Sequence, residues 1–576
     1  MSFFGELRRR NVFRMGVAYL AAVWVLIEVT NTIVPIINAP PWILQALVFS
    51  SALGFPLALV LAWFYEWTSE GIKAASELEA PEPVRFMGRK LDFAIIGLLV
   101  LAVGILLVRS PLDDQEGVLP NSVAVLPFEN LSPDPNDAYF AAGLHDEILS
   151  RLGKLSNLSV ISRTSMLRYA DSDLSIPEIA RELNVGTVME GSVRYAAGRV
   201  RITTQLIDAA TDEHLWSETY EREFSDIFAI ESDIAINVAN ALEAEFSLEE
   251  QESIEKMSTR SPAAYALYLK GLSTPESFSS YLDQAIALDP QFALAYAHRA
   301  IINTYDLVGV GFGSAPDEVL ELERSISEDA EHALSIDPTL GLAHAALAAV
   351  HQANWRGAAA EQALQRSVEL SPNDVHVLVQ YAEVKAARGE RDEAIRLHRR
   401  ALELDPNSWF APFQLGATYR KFGEWDAAAA TFQNVLNRYP ADVRSTVSLA
   451  VVEAHRGNVT EAVRLLQVAE QLGPPLFHVV RMVQAYALAG RPEEARRMFT
   501  EFEQRAAAEG IGDAWWATAY VAVGDYEQAL ERLELAVNGR SPVDQTALIA
   551  LARNTEGNPE LDKPEFRALL DGLWDE

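Results

Sequence analysis

The chain holds 576 residues, and 81 acidic against 47 basic side chains leave a formal net charge of −34. Its length allows several domains of roughly 100–200 residues each, and its acidity argues against a nucleic-acid binder, which needs a basic footprint. Cysteine is absent, which excludes a disulfide framework, thiol catalysis and thiolate metal sites.

The hydrophobic content of 49% is high for so acidic a chain, and the excess lies at the front. Residues 12–37, 42–67 and 91–108 are nearly continuous apolar runs, and a membrane-spanning helix needs about 20 such residues. The sequence therefore predicts a membrane region over residues 1–110 with three transmembrane helices. Basic residues set the expected orientation. Arg8, Arg9, Arg10 and Arg14 lie around the start of the first run, and Lys73, Arg85, Arg89 and Lys90 lie between the second and third. This places the amino terminus in the cytoplasm and everything after about residue 110 in the periplasm of a bacterial inner membrane, with the lipid bilayer as a partner. Glu28, an acid inside the first run, reads either as a functional intramembrane carboxyl or as a helix–helix hydrogen-bonding group.

Residues 111–120 form a short acidic linker, and the hydrophobic period then changes. Residues 122–128 (SVAVLPF) predict a buried strand and residues 138–152 an amphipathic helix. A strand at 158–161 and a helix at 176–183 follow, then strands at 186–195, 199–208 and 214–220, and a helix at 226–242. His145, Asp146 and Glu147 adjoin on a helix, so they point in different directions and do not converge on a metal. They are expected to be ordinary surface residues. His214 and Trp216 share a strand face, which suits packing or a pocket.

These segments (SVAVLPF, then EGSVR at 190–194, RITTQLI at 201–207 and EHLWS at 213–217) resemble a domain related to the amino-terminal domain of TolB. That domain also occurs in FlgO-like proteins and in the periplasmic part of CadC-type regulators, and tails of some adenylate cyclases carry it. The resemblance covers residues 121–245, implies an α/β fold and carries no catalytic residue. Nothing ahead of the first apolar run is long enough for the DNA-binding or cyclase domain of such relatives.

From there the chain repeats. Pro338, Pro372, Pro406, Pro440 and Pro474 stand 34 residues apart, and Gly389, Gly423 and Gly457 keep the interval. One unit reads Leu415-Gly416-x-x-Tyr419, Ala428, Phe432, Pro440. Small residues Ala382, Gly416 and Ala450 stand where two helices must approach closely. This pattern resembles the tetratricopeptide repeat, a helix–turn–helix unit of 34 residues. It implies an all-α solenoid over residues 260–545, closed by a cap over 546–576. A 14-residue excess between Pro290 and Pro338 predicts a loop insertion between repeat helices. Gly309, Gly311 and Gly313 lie there and lack the ending of a phosphate-binding loop.

In such repeats the first helix of each pair lines a concave groove. The phase of the prolines puts His376, Val379 and Glu383 on that wall, then Phe410, Phe413, Arg420 and Lys421, then Arg444 and His455, then His478 and Arg481. Four cations and three histidines against one acid predict a locally positive groove in an acidic protein. It suits an acidic peptide or a carboxylate terminus, which arginine grips in bidentate fashion. Phe410 and Phe413 would be exposed unless something covered them. The opposing reading is that these cations only solvate an unused face.

The sequence thus predicts a multidomain protein: three transmembrane α-helices, an α/β TolB-like domain and an all-α tetratricopeptide solenoid. The expected function is a membrane-tethered periplasmic scaffold that binds a protein partner, with no catalytic site, cofactor or metal. A transmembrane sensor whose α/β domain reads a ligand, an accessory subunit of a transport or envelope complex, and self-association all remain open.

Overall fold

The computed structural model describes residues 119–134, 137–170, 172–310 and 316–539, the segment 564–570, and a few positions besides. Those include Tyr19, Val23, residues 65–68 and residues 71–74. The chain divides into two compact units, Met1–Glu116 and Gly117–Glu576.

In the first unit β1 (Tyr65–Thr68) pairs antiparallel with β2 (Gly71–Ala74). Among the described residues no helix is long and apolar enough to cross a membrane. The expectation of three transmembrane helices is corrected on that finding, and the inner-membrane location, its orientation and the bilayer as partner go with it. The physical reason is visible at the end of the second apolar run. There Tyr65 to Thr68 is a strand, and apolar runs signal burial without specifying whether lipid or protein supplies it. Apart from Tyr19 and Val23, the rest of the runs, with Glu28, lies outside the described residues.

The second unit opens with a mixed sheet built from β3 (Leu119–Val125), β4 (Glu129–Asn130), β5 (Ser159–Val160), β6 (Val185–Ala196), β7 (Arg199–Asp208) and β8 (His214–Glu223). The order is β5-β3-β6-β7-β8, with β4 also on β6. Strand β3 runs parallel to both neighbours, and β6, β7 and β8 form an antiparallel meander. Helices α1 (Ala138–Leu152), α2 (Arg163–Leu167), α3 (Ile176–Leu183) and α4 (Ile227–Ala241) complete the region. A capping box of Ser175 and Glu178 starts α3, and Asn184 in the left-handed conformation ends it, which satisfies terminal backbone groups. Alternate strand residues serve opposite faces. Val123, Val125 and Met189 pack with α1 and α4, while Ala124 and Val188 pack with α3.

That first core does not stop at the sheet. Helix α5 (Leu248–Glu255) leads into α6 (Pro262–Ser273), whose Tyr265, Tyr268 and Leu269 are buried in the same cluster as Leu144 and Ile234. Gly143 lets α6 approach α1: a Cβ there would stand 2.8 Å from Leu269 Cβ. The α/β region and the first repeat therefore share one core.

Helix pairs follow: α6 with α7 (Phe278–Leu288), α8 (Ala293–Val310) with α9 (Pro316–Ile336), and α10 (Gly341–Ala353) with α11 (Gly357–Leu370). Then come α12 (Val375–Ala387) with α13 (Arg391–Leu404), and α14 (Phe410–Lys421) with α15 (Trp425–Arg438). The series closes with α16 (Val443–His455) and α17 (Val459–Leu472), α18 (Leu476–Leu488) and α19 (Pro492–Glu509), and α20 (Asp513–Val523) and α21 (Tyr526–Gly539). The phased Gly389, Gly423 and Gly457 have φ of +83°, +72° and +78°, the left-handed turn that only glycine adopts without cost. Gly416 lets Phe432 in, since a Cβ there would stand 2.8 Å from the Phe432 ring. The extra residues between Pro290 and Pro338 lengthen the helices, α8 to 18 residues and α9 to 21, with 311–315 outside the described residues. Phe566 and Leu570 of α22 (Pro564–Leu570) join the core of the final pairs.

The α/β region also docks along the proline-marked turns. Asn373 donates from Nδ2 to the carbonyls of Gly153 (3.2 Å), Leu155 (3.0 Å) and Leu158 (2.8 Å). Thirty-two residues on, Ser165 Oγ donates to Asp405 Oδ1 at 2.5 Å, and Ser162 N donates to the Leu404 carbonyl at 2.8 Å. One unit earlier, Lys256 pairs with Asp337 at 2.6 Å. Three successive turns thus hold one side of the α/β region.

Candidate functional site

The first helices of the later pairs carry an unusual set of charges. Arg420, near the end of α14, has no ion-pair or hydrogen-bond partner among the described residues, and its Nε is buried without one. Arg481 on α18 likewise has none. Each side chain is half-buried, yet protein surrounds its charge. Burial lowers the pKa of both, and for Arg481 the positive field of Arg420 adds to it, bringing that guanidinium down to about 9. Arg420 thus acts on Arg481 as a nearby like charge, and burying such a charge without a counter-ion is unfavourable.

The remaining expected residues gather around this pair or pack. His478 is 1% exposed, its two ring nitrogens have no partner, and burial, then Arg481 and Arg444, bring it down to about 2. It is neutral and rests against Phe477, ring centroids 4.2 Å apart. His455 stacks on Trp425 at 4.2 Å and 7°, and burial, then Arg420, lowers its pKa. Arg444 lies 3.8 Å over the Trp409 ring and 3.4 Å from Asp442 Oδ1. Beside it opens a cavity of about 400 Å³ with Tyr439 and Pro440 in its lining.

The two phenylalanines are not laid open. Phe410 is half-buried against the core of the preceding pairs, and Phe413 packs on Phe432 at 5.7 Å between ring centroids. Phe410 is covered by the preceding pairs and Phe413 by the second helix of its own pair, which removes the exposed-patch argument. Trp409, 37% exposed, is the aromatic at this place.

Toward the amino-terminal side the wall changes character. His376 bonds Gln380 at 3.0 Å, and its ring meets Tyr305 at 5.3 Å; burial lowers its pKa. Glu383 on α12 has no hydrogen-bond or ion-pair partner among the described residues. Burial raises its pKa to about 6, against the pull of Lys421. Lys421 also acts on buried His398, which donates to or accepts from Thr418 Oγ1 at 3.0 Å.

His145 and Glu147 are buried, contrary to the surface expectation: His145 Nε2 meets the Val125 carbonyl at 2.8 Å, and Tyr268 donates to Glu147 at 3.0 Å. Arg151 pairs with Glu231 at 3.0 Å, and Tyr265 donates to Glu231 at 2.5 Å. Burial raises both carboxylates. Sequence spacing gives no hint of this network, because its members lie up to 121 residues apart. His214 is exposed and Trp216 packs on the core across a register shift between β7 and β8. Among the described residues no group of three or more acids and histidines is placed to hold a metal.

The class of protein follows from the repeats. Two tetratricopeptide family models match residues 413–476 and 382–408. A third model, the second domain of HilA/YgeH-like transcriptional regulators, matches residues 119–235. It stands where a TolB-like domain was expected, and that resemblance is not supported. A relative from Rhizobium meliloti (strain 1021), named "Putative adenylate cyclase 3", is 37% identical over 208 residues, 35% of this chain. The chain spans 35% of that relative's length. Similar solved structures include pilF of Pseudomonas aeruginosa, 14% identical with TM-score 0.29, covering 40% of this chain and 98% of that one. YrrB, titled a TPR protein with an unusual peptide-binding site, is 20% identical with TM-score 0.27 over 37% of this chain and 97% of its own. A tetratricopeptide protein from Parabacteroides merdae is 17% identical with TM-score 0.33 over 49% and 99%. The chain carries tetratricopeptide repeats, a fold whose stacked units present extended concave surfaces for protein partners.

Proposed function

We propose that the protein is a non-enzymatic adaptor that holds a partner protein by an acidic, extended segment laid against α14, α16 and α18. The observation that carries this reading is the unpaired couple Arg420 and Arg481, in a chain with 81 acids available to neutralise them. A buried charge left without a partner costs stability, and a ligand carboxylate would offset that cost by charge-assisted hydrogen bonds. His455 and His478, both lowered by burial and nearby arginines, add no negative charge to the neighbourhood. Phe410, Phe413 and His376 shape the wall.

Reversing Arg420, Arg444 and Arg481 to Glu in the full chain should abolish crosslinked recovery of the partner. Reversing Arg464, on the outer helix α17, should not. Equal recovery with all three groove arginines reversed would contradict the reading.

A second reading gives the α/β region a sensory role. It is favoured by the core that region shares with the first repeat, which allows a state at one to bias the other. A metabolite screen that shifts the unfolding of the α/β region supports it; no shift counts against it.

A further inference from the structure

The groove is not uniformly positive, and that bears on the kind of segment it takes. Glu383 lies on α12, the first helix of its pair as α14 and α18 are of theirs, half-buried and without a side-chain hydrogen-bond or ion-pair partner among the described residues. An internal pairing of Glu383 with these arginines would have met both needs, and the fold keeps them on separate helices. Lys421 attracts Glu383 through space. Tyr305, 55% exposed, and His376 extend the same end of the wall with a ring contact of 5.3 Å. The wall therefore runs from an unpaired acid with aromatic neighbours to two unpaired guanidiniums.

We infer that the groove recognises a segment of mixed charge, with a cationic side chain at Glu383 and carboxylates at Arg420 and Arg481. This rests on the groove reading above and adds sign order to it. Facing helices sit roughly 8–10 Å apart and an extended chain advances about 3.3 Å per residue. One repeat step, from α12 to α14, thus corresponds to about three residues between the cation and the first acid. A purely acidic segment would place a carboxylate against Glu383 and be repelled there.

The test uses the full chain and three fluorescein-labelled octapeptides. One has a Lys three positions before a Glu-Glu pair, the second has the reverse order, and the third carries Glu in place of the Lys. One of the two mixed peptides should bind at least ten-fold more tightly than the all-acid peptide. Glu383→Gln should erase that preference, while Arg481→Gln should weaken every peptide. If the all-acid peptide binds as tightly as the mixed ones and still needs Arg481, the sign order is wrong and the groove reading stands. If Glu383→Gln keeps the preference, the assignment of the cation is overturned. If no peptide binds, or Arg481→Gln changes nothing, both readings fall.

Discussion

Arg420 on α14 and Arg481 on α18 come from units with a whole repeat between them, yet the charge of one lowers the proton affinity of the other. Both guanidiniums stay protonated at neutral pH, so the unfavourable burial is felt in full there. Arg481 is brought down to about 9 in the folded chain, well below the free side chain. The folded state therefore binds fewer protons than the unfolded one above about pH 9, and stability is regained as pH rises through that window.

Arg481→Gln accordingly stabilises the unliganded protein at pH 7, by about 1 kcal/mol, while weakening the partner. Denaturant melts of wild type and variant check the sign. A residue that costs stability and supports binding behaves as functional groups do.

Buried neutral histidines predict the acid limb of the stability curve. His398 and His478 are brought down to about 3 and about 2, chiefly by burial. An unfolded histidine takes its proton near pH 6.5 and these do not. Stability therefore falls below pH 6.5 by about 1.4 kcal/mol per pH unit for each group. Replacing both with Gln should flatten the decline between pH 6.5 and 4, measured by urea melts at each pH.

The contact of Gly416 with Phe432 fixes how close α14 and α15 come. Gly416→Ala puts a Cβ at 2.8 Å from the ring and should cost about 1–3 kcal/mol through overpacking. Phe432→Ala, which empties a fully buried site, should cost about 3–5 kcal/mol. Hydrogen exchange should show the opening concentrated in this pair and its neighbours, as expected of a solenoid with nearest-neighbour coupling.

Asn373 ties the α/β region to the turn at Pro372 by bonds to three carbonyls. Asn373→Ala leaves those groups unmet at a cost of about 1–3 kcal/mol. Exchange should accelerate at Leu155 and Leu158 while α16 to α19 keep their protection.

The repeats were legible because their physics recurs at a fixed interval. A left-handed turn needs glycine at 389, 423 and 457, and a close helix approach needs a small residue at 416. The strands of the α/β region could be read for a similar reason: Val123, Ala124 and Val125 alternate between two cores. What could not be read depends on distance in the chain. The pairing of Arg151 with Glu231 and the grip of Asn373 on residues 153–158 join segments with no shared local pattern. The apolar runs misled because hydropathy does not distinguish lipid from protein as the solvent of a side chain, and Tyr65 to Thr68 is a strand. The coverage of Phe410 and Phe413 could not be read, because it depends on packing against other helices.

The adaptor reading meets its most direct trial in the equilibrium affinity of a labelled peptide bearing a Glu-Glu pair, compared between the wild-type chain and Arg420→Gln/Arg481→Gln at low salt. The account predicts at least a ten-fold loss in the double variant, with Arg464→Gln unchanged. Equal affinity for wild type and double variant would contradict it.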